Sequence, residues 1–193
     1  MKKLLIAGLA SIAIALPVAA ALQKGDTAPM FTARASLAGK EFNYSLSDAL
    51  KQGPVVVYFY PSAYTQGCNI QARGFAENME AFTAAKATVI GVSLDSIQRL
   101  NDFSADPEYC AGKLAVASDS DGAIAKSFQV DVREGRAGMQ DTRGVAIDHG
   151  FAERLTFVVT PDGKVAETIG GQGVTPDQNV EQALQAVKKL AAL

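Results

Sequence analysis

The run Val55–Tyr60, read Val-Val-Val-Tyr-Phe-Tyr and closed by Pro61, constrains this chain more than any other stretch. Six consecutive β-branched or aromatic residues read as a buried strand. Proline ends it, because it has no N–H to give a sheet ladder. A short turn, Ser62–Thr65, then leads into a segment in which Ala72, Phe75, Met79 and Phe82 recur on one helical face. Cys68 therefore falls in the first turn of a helix that follows a buried strand. Unpaired N–H groups and the positive end of the macrodipole at such a site favour a thiolate over a thiol. Position alone leaves a second reading open, a small and inert buried cysteine.

The rest of the chain alternates. Gly39-Lys40 predicts a hairpin with Glu41–Tyr44 as its second strand, and Ser47-Asp48 predicts the cap of a short helical turn through Gln52. Thr88–Ser93 reads as a second buried strand. Asp95 or Ser96 would cap a helix carrying Ile97 and Leu100, stopped at Asp106-Pro107. Leu114–Ala117 reads as a third strand, and a helix is predicted near Asp121–Phe128. Gln129–Gly150 has many charges and little periodicity, so it reads as a loop with short strand pieces. Its length makes it either functional or mobile. Leu155–Val159 and Lys164–Ile169 flank the turn Thr160–Gly163. Thr175-Pro176-Asp177-Gln178 then opens a helix with a cap, an N1 proline and a capping-box glutamine. Strands alternating with helices, then a hairpin and a final helix, indicate an α/β sandwich.

Residues 1–21 have the build of a secretory signal: Lys2 and Lys3, an apolar Leu4–Leu16, and small residues before a cut after Ala20 or Ala21. The apolar run is short for a membrane span, so cleavage and export, with the periplasm as destination, are expected. Removing the two lysines leaves 16 basic against 20 acidic residues. With no basic tract, nucleic acid is not an expected partner. Residues 22–193 suffice for one well-cored domain, and no second apolar segment is long enough to hold it on a membrane.

Further residues fix a family. Pro61-x-x-x-Thr65-x-x-Cys68 after the Tyr-Phe-Tyr strand end resembles the active-site loop of peroxiredoxins, the cysteine-dependent peroxidases. Matching features follow in order: Gly25-Asp26-x-Ala28-Pro29-x-Phe31, Val92-Ser93-x-Asp95, Ser118-Asp119, and Arg154-x-Thr156-Phe157 running into Pro161-Asp162-Gly163. The bacterioferritin-comigratory-like, Q-type subgroup is the nearest in pattern. The resemblance implies a thioredoxin-like fold, a central mixed sheet flanked by helices, and reduction of hydrogen peroxide or organic hydroperoxides.

It also implies roles. Cys68 would attack the peroxide, with the Thr65 hydroxyl set against thiolate and substrate; a helix N-cap is an alternative, compatible role for Thr65. Arg154 would supply fixed positive charge, and Pro61 would wall the thiolate from water. The resulting sulfenic acid needs a thiol partner. Many Q-type relatives place it five residues on, where this chain has Arg73. Cys110, in Glu108-Tyr109-Cys110-Ala111-Gly112, is similar to the resolving region of atypical two-cysteine thiol peroxidases. An internal Cys68–Cys110 disulfide is therefore expected, with a one-cysteine mechanism as the alternative. The implied partners are a peroxide, a thioredoxin-like protein or small thiol as reductant, and a second copy in a homodimer.

Other chemistries find less support. His149, the single histidine, has no metal-ligand spacing around it and reads as a loop histidine. Gly170-Gly171-Gln172-Gly173 lacks the Gly-Lys-Ser/Thr end of a phosphate loop. No cofactor or metal signature is evident. Two competing functions share the fold. A thiol-disulfide oxidoreductase would need Cys-x-x-Cys, but Thr65 occupies the first position. A non-catalytic binding protein would tolerate the loss of Thr65 or Arg154, yet both are present.

Overall fold

The computed structural model describes residues 21–192. Apart from Ala21, the expected export segment lies outside them. Three strands begin the chain order, β1 (Thr32–Leu37), β2 (Lys40–Ser45) and β3 (Val55–Phe59), with the short helix α1 (Leu46–Leu50) between the last two. Helices α2 (Gln66–Glu77) and α3 (Met79–Ala84) lead to β4 (Thr88–Ser93), α4 (Ile97–Ala105), β5 (Ala115–Ser118) and α5 (Ala123–Ser127). A small pair, β6 (Val132–Arg133) and β7 (Phe151–Ala152), precedes β8 (Leu155–Val159), β9 (Val165–Gly170) and α6 (Pro176–Ala191).

Seven strands form one mixed sheet in the order β2-β1-β5-β4-β3-β8-β9. β3 and β4 are parallel, as are β4 and β5, while β8 runs antiparallel to β3. This is the thioredoxin-like sandwich expected from the motifs. Every residue of β3 is buried because both sheet faces are covered. Val55, Val57 and Phe59 join the core under α1 and α5, with Phe128 and Phe157. Val56, Tyr58 and Tyr60 join the opposite core, with Cys68 and Phe75 of α2, Phe103 of α4, and Val180 and Val187 of α6. The period of two in a strand thus sends Tyr58 and Tyr60 to the cysteine side.

Local chemistry shifted several boundaries. The expected cap Ser47 is replaced by Ser45, whose hydroxyl accepts from Asp48 N–H, so α1 starts at Leu46 and ends before Gln52. The apolar stripe through Met79 and Phe82 is not one helix. Asn78 leaves helical geometry and its side-chain amide donates to the Gly74 carbonyl, splitting α2 from α3. Ser96, not Asp95, caps α4, which frees the Asp95 carboxylate for other partners. The capping box of α6 is present as read.

Gly91 of β4 has a packing reason. A Cβ there would lie 2.5 Å from the Tyr58 ring and hydroxyl. That ring is fixed by stacking on Phe75 and Tyr60, with centroids 4.5 and 5.3 Å away. Gly91→Ala is expected to destabilise the fold by about 1–3 kcal/mol through overpacking. A urea midpoint unchanged from wild type would refute that packing argument.

Candidate active site

The segment between β3 and α2 is held by side chains from the β4–α4 turn, from α4 and from the 129–150 segment. The Asp95 carboxylate accepts from Ala63 N–H at 2.7 Å and from the Ser62 hydroxyl at 2.9 Å. Arg99 of α4 donates to the Ala63 carbonyl at 3.0 Å. Thr142 donates to the Tyr64 carbonyl through its N–H and its hydroxyl, at 3.0 and 2.8 Å. These bonds hold Tyr64 at φ +63°, a left-handed conformation that costs a non-glycine residue about 1–3 kcal/mol. Arg143 stacks its guanidinium 3.2 Å from the Tyr64 ring centre.

Thr65 occupies the N-cap position of α2 by its backbone, yet its side chain caps nothing. Its hydroxyl donates to the Ser62 carbonyl at 2.9 Å. The alternative capping role of the side chain is therefore replaced by this bond, which uses the hydroxyl proton and leaves the oxygen lone pairs as acceptors. Pro61 is partly buried just upstream, and Cys68 is only 1 % exposed in the first helical turn.

Arg154, immediately before β8, reaches across the sheet to this turn. One terminal nitrogen lies 3.3 Å from Cys68 Sγ, and the other donates to Gln71 Oε1. Gln71 donates in turn to Asn179 Oδ1 of α6 at 2.9 Å, which also accepts from Thr156 at 2.7 Å. Asn179 completes the chain by donating to the Ile169 carbonyl. Gly67 leaves room for the guanidinium: a Cβ there would sit 3.1 Å from it. Gln71, Asn179 and Gly67 escaped the sequence reading. A trace of the first two was present, because each is a polar residue within the apolar stripe of its helix.

Cys110 is a free, fully buried thiol in the turn after α4, in the same core as Cys68. Burial, and then the charge of Asp106, push this thiol well above its ordinary range, so it is held neutral. Arg73 ties the Cys110 turn to α2 by donating to the Glu108 carbonyl at 2.7 Å. The Tyr109 ring packs edge-on against Tyr64. Tyr58 shares this core with both cysteines, its buried hydroxyl is unpartnered among the described residues, and burial keeps it neutral.

His149 is more than a loop histidine. It is bonded to buried Asp95 and joins the long 129–150 segment to the cysteine loop. Asp141, also buried, pairs with Arg99 and Arg143 in the same cluster. Sequence spacing could not reveal this, because the Asp95–His149 and Arg99–Asp141 links span 54 and 42 positions. Among the described residues no cluster of three or more His, Cys, Asp or Glu could hold a metal, and no helix is long and apolar enough to cross a membrane.

This geometry can be set beside known proteins. The AhpC/TSA family model matches residues 24–168. Peroxiredoxin Bcp of Escherichia coli K12 is 33% identical over 144 residues, covering 75% of this chain and 83% of its own length. The crystal structure of peroxidoxin BcpB from Mycobacterium tuberculosis superposes with a TM-score of 0.72 at 27% identity, over 88% of this chain and 98% of that one. Peroxiredoxin Q of Xanthomonas campestris gives 0.63 at 27% identity, over 82% and 90%. With a cysteine at a helix start, an arginine on its sulfur and these matches over most of its length, the chain belongs to the AhpC/TSA family, as a peroxiredoxin of the bacterioferritin-comigratory type.

Proposed function

We propose that this chain is an exported thiol-dependent peroxidase whose nucleophile is Cys68. The contact between Arg154 and Cys68 Sγ at the α2 N-terminus carries this reading. A guanidinium and a helix N-terminus both favour the thiolate, which is the attacking species. In the reaction the Cys68 sulfur forms a bond to one peroxide oxygen while the O–O bond breaks. The other oxygen leaves as hydroxide or alkoxide and takes up a proton to become water or an alcohol. Thr65, with its proton committed to Ser62, has lone pairs free to accept from the peroxide O–H. Arg154 offers positive charge where negative charge develops on the breaking bond. Pro61 shields the approach.

Cys68 is then a sulfenic acid. Its condensation with the Cys110 thiol forms the disulfide and releases water, and a thioredoxin-like protein with its two thiols, or two equivalents of a small thiol, restores both thiols and is itself oxidised to a disulfide. Both cysteines are free and buried in the same core, and opening of the Arg73–Glu108 bond would release the Cys110 turn to bring the two sulfurs together. Asp106 to Gly112 is a run of turns rather than helix, with Ala111 and Gly112 both at positive φ, which suits such a movement. Export to the periplasm rests on residues 1–21 and would place the enzyme outside the cytosolic thiol pool.

The test uses mature protein, hydrogen peroxide and a small dithiol. Dithiol-dependent peroxide consumption is expected, and its absence would overturn the assignment. Intact mass after one equivalent of peroxide should show the loss of two hydrogens in wild type. Cys110→Ser should instead gain one or two oxygens on Cys68. A wild type that also stops at the sulfenic acid would replace Cys110 by an external thiol.

A further inference from the structure

We propose that His149, as an imidazolium, is a positioning residue that locks the Cys68 loop in its reactive form and releases it when the proton is lost. The inference rests on the peroxidase reading above. Its basis is the pair of acceptors that face the ring. Nδ1 lies 2.7 Å from the Gly150 carbonyl, and Nε2 lies 2.8 Å from Asp95 Oδ1. A carbonyl and a carboxylate only accept, so both ring nitrogens must donate, and only the doubly protonated ring does so. The Ser62 hydroxyl also lies 3.4 Å from Nε2, but its one proton is given to Asp95 Oδ1 at 2.9 Å, so it does not serve a neutral ring. Asp95 cannot be the donor. It already accepts from Ala63 N–H, the Ser62 hydroxyl and the Ser93 hydroxyl, and it lies 2.9 Å from Arg99 Nε.

The position of the ring turns this bond into a lock. On one side Asp95 holds Ser62 and Ala63, and the Ser62 carbonyl orients the Thr65 hydroxyl. On the other side Gly150 opens the stretch Phe151–Glu153 that ends at Arg154. His149 thus joins the loop carrying Thr65 and Cys68 to the segment carrying Arg154. Either neutral tautomer would put a lone pair against an acceptor less than 3 Å away, and one of the two contacts would have to open.

The charges around the ring set the direction of the effect. Asp95 and Arg99 face it from the β4–α4 side, and Arg99 is shared with Asp141, itself bound to Arg143. The cleft beside the ring is lined by Lys126, Arg133, Glu134, Arg136 and Asp148. Burial lowers the proton affinity of His149, but the hydrogen bond and charge of Asp95 outweigh it and raise the group above its ordinary value. Burial alone would raise Asp95, yet His149, the Ala63 N–H and Ser93 hold it below the carboxylate range. A raised histidine stabilises the fold fully below about pH 6.5, and that contribution is lost as pH rises through the folded value. A depressed carboxyl acts in the opposite sense, and its contribution is lost as pH falls through the folded value. The lock therefore holds below the folded value of His149 and opens as pH rises through it.

Because His149 is the single histidine, its state can be read without ambiguity. Imidazole nitrogen NMR of reduced wild-type protein should show both nitrogens protonated at pH 7. The rate constant for the reaction of pre-reduced protein with hydrogen peroxide should fall above neutrality with the same midpoint as that titration. The fall should be no more than about tenfold for each unit by which the locked form raises the imidazole, because that ratio bounds the change in the locking equilibrium. His149→Gln, which keeps an amide donor but no charge, should lose this alkaline limb. A neutral ring at pH 7, unequal midpoints, or an alkaline limb that survives in His149→Gln would overturn the lock while leaving the peroxidase reading intact. A wild type inert to peroxide at every pH would overturn both.

Discussion

Cys68→Ser is expected to reduce peroxide consumption by at least about 10³-fold, to the level of the dithiol alone. The hydroxyl that replaces the thiol is essentially un-ionised near neutral pH, and an alcohol has no redox cycle through a sulfenic acid. Surrounding geometry should survive, because serine is nearly isosteric and the site already holds an N–H donor from Arg154. Two measurements separate chemistry from folding: peroxide consumption with excess dithiol, and a thermal unfolding curve. Substantial turnover in a folded Cys68→Ser protein would remove Cys68 from the mechanism. It would also move attention to Cys110, the second of the two thiols in the chain.

Arg154→Ala should follow with a loss of about 10²–10³-fold in the peroxide rate constant, the usual effect of deleting one preorganised donor from developing charge. Alkylation of Cys68 near neutral pH should slow as well, because the guanidinium favours the thiolate before any peroxide arrives. Arg154→Lys should recover only part of either rate. The arginine divides two nitrogens between Cys68 Sγ and Gln71 Oε1, and a single ammonium cannot reproduce that planar fork. Unchanged alkylation and turnover in Arg154→Ala would make the contact incidental. A parallel loss in Gln71→Ala, whose amide aims the guanidinium, would support preorganisation over net charge alone.

Local patterns determined much of this molecule. The apolar Val55–Tyr60 run, the TVIGVS strand, the capping box at Thr175 and the Thr160–Gly163 turn each contain their whole signal within a few residues, and each appears where it was read, the first ending one residue early at Phe59. The placement of Cys68 one turn into α2 was legible for the same reason, since Pro61 ends a strand and the helical spacing begins soon after. Arg154 was legible only through its resemblance to a known motif. Nothing in its own neighbourhood says that it crosses to a sulfur 86 positions earlier.

Tertiary structure decided the rest. Asn78 divides a helix that apolar spacing alone makes continuous, because its side chain competes for the Gly74 carbonyl. The hydroxyl of Thr65 serves a carbonyl instead of a cap, since the left-handed turn at Tyr64 brings Ser62 within reach. Above all, the cluster of His149, Asp95, Arg99, Asp141 and Arg143 joins the 129–150 segment to the cysteine loop. Asp95 belongs to a matched motif, but each of the others taken singly reads as an ordinary loop or helix side chain. They become a site only when β4, α4 and the long segment converge and exclude water, because only a buried carboxylate requires paired cations. Sequence spacing carries hydrophobic periodicity and capping, which are local. Charge compensation in a dry interior is a property of the fold.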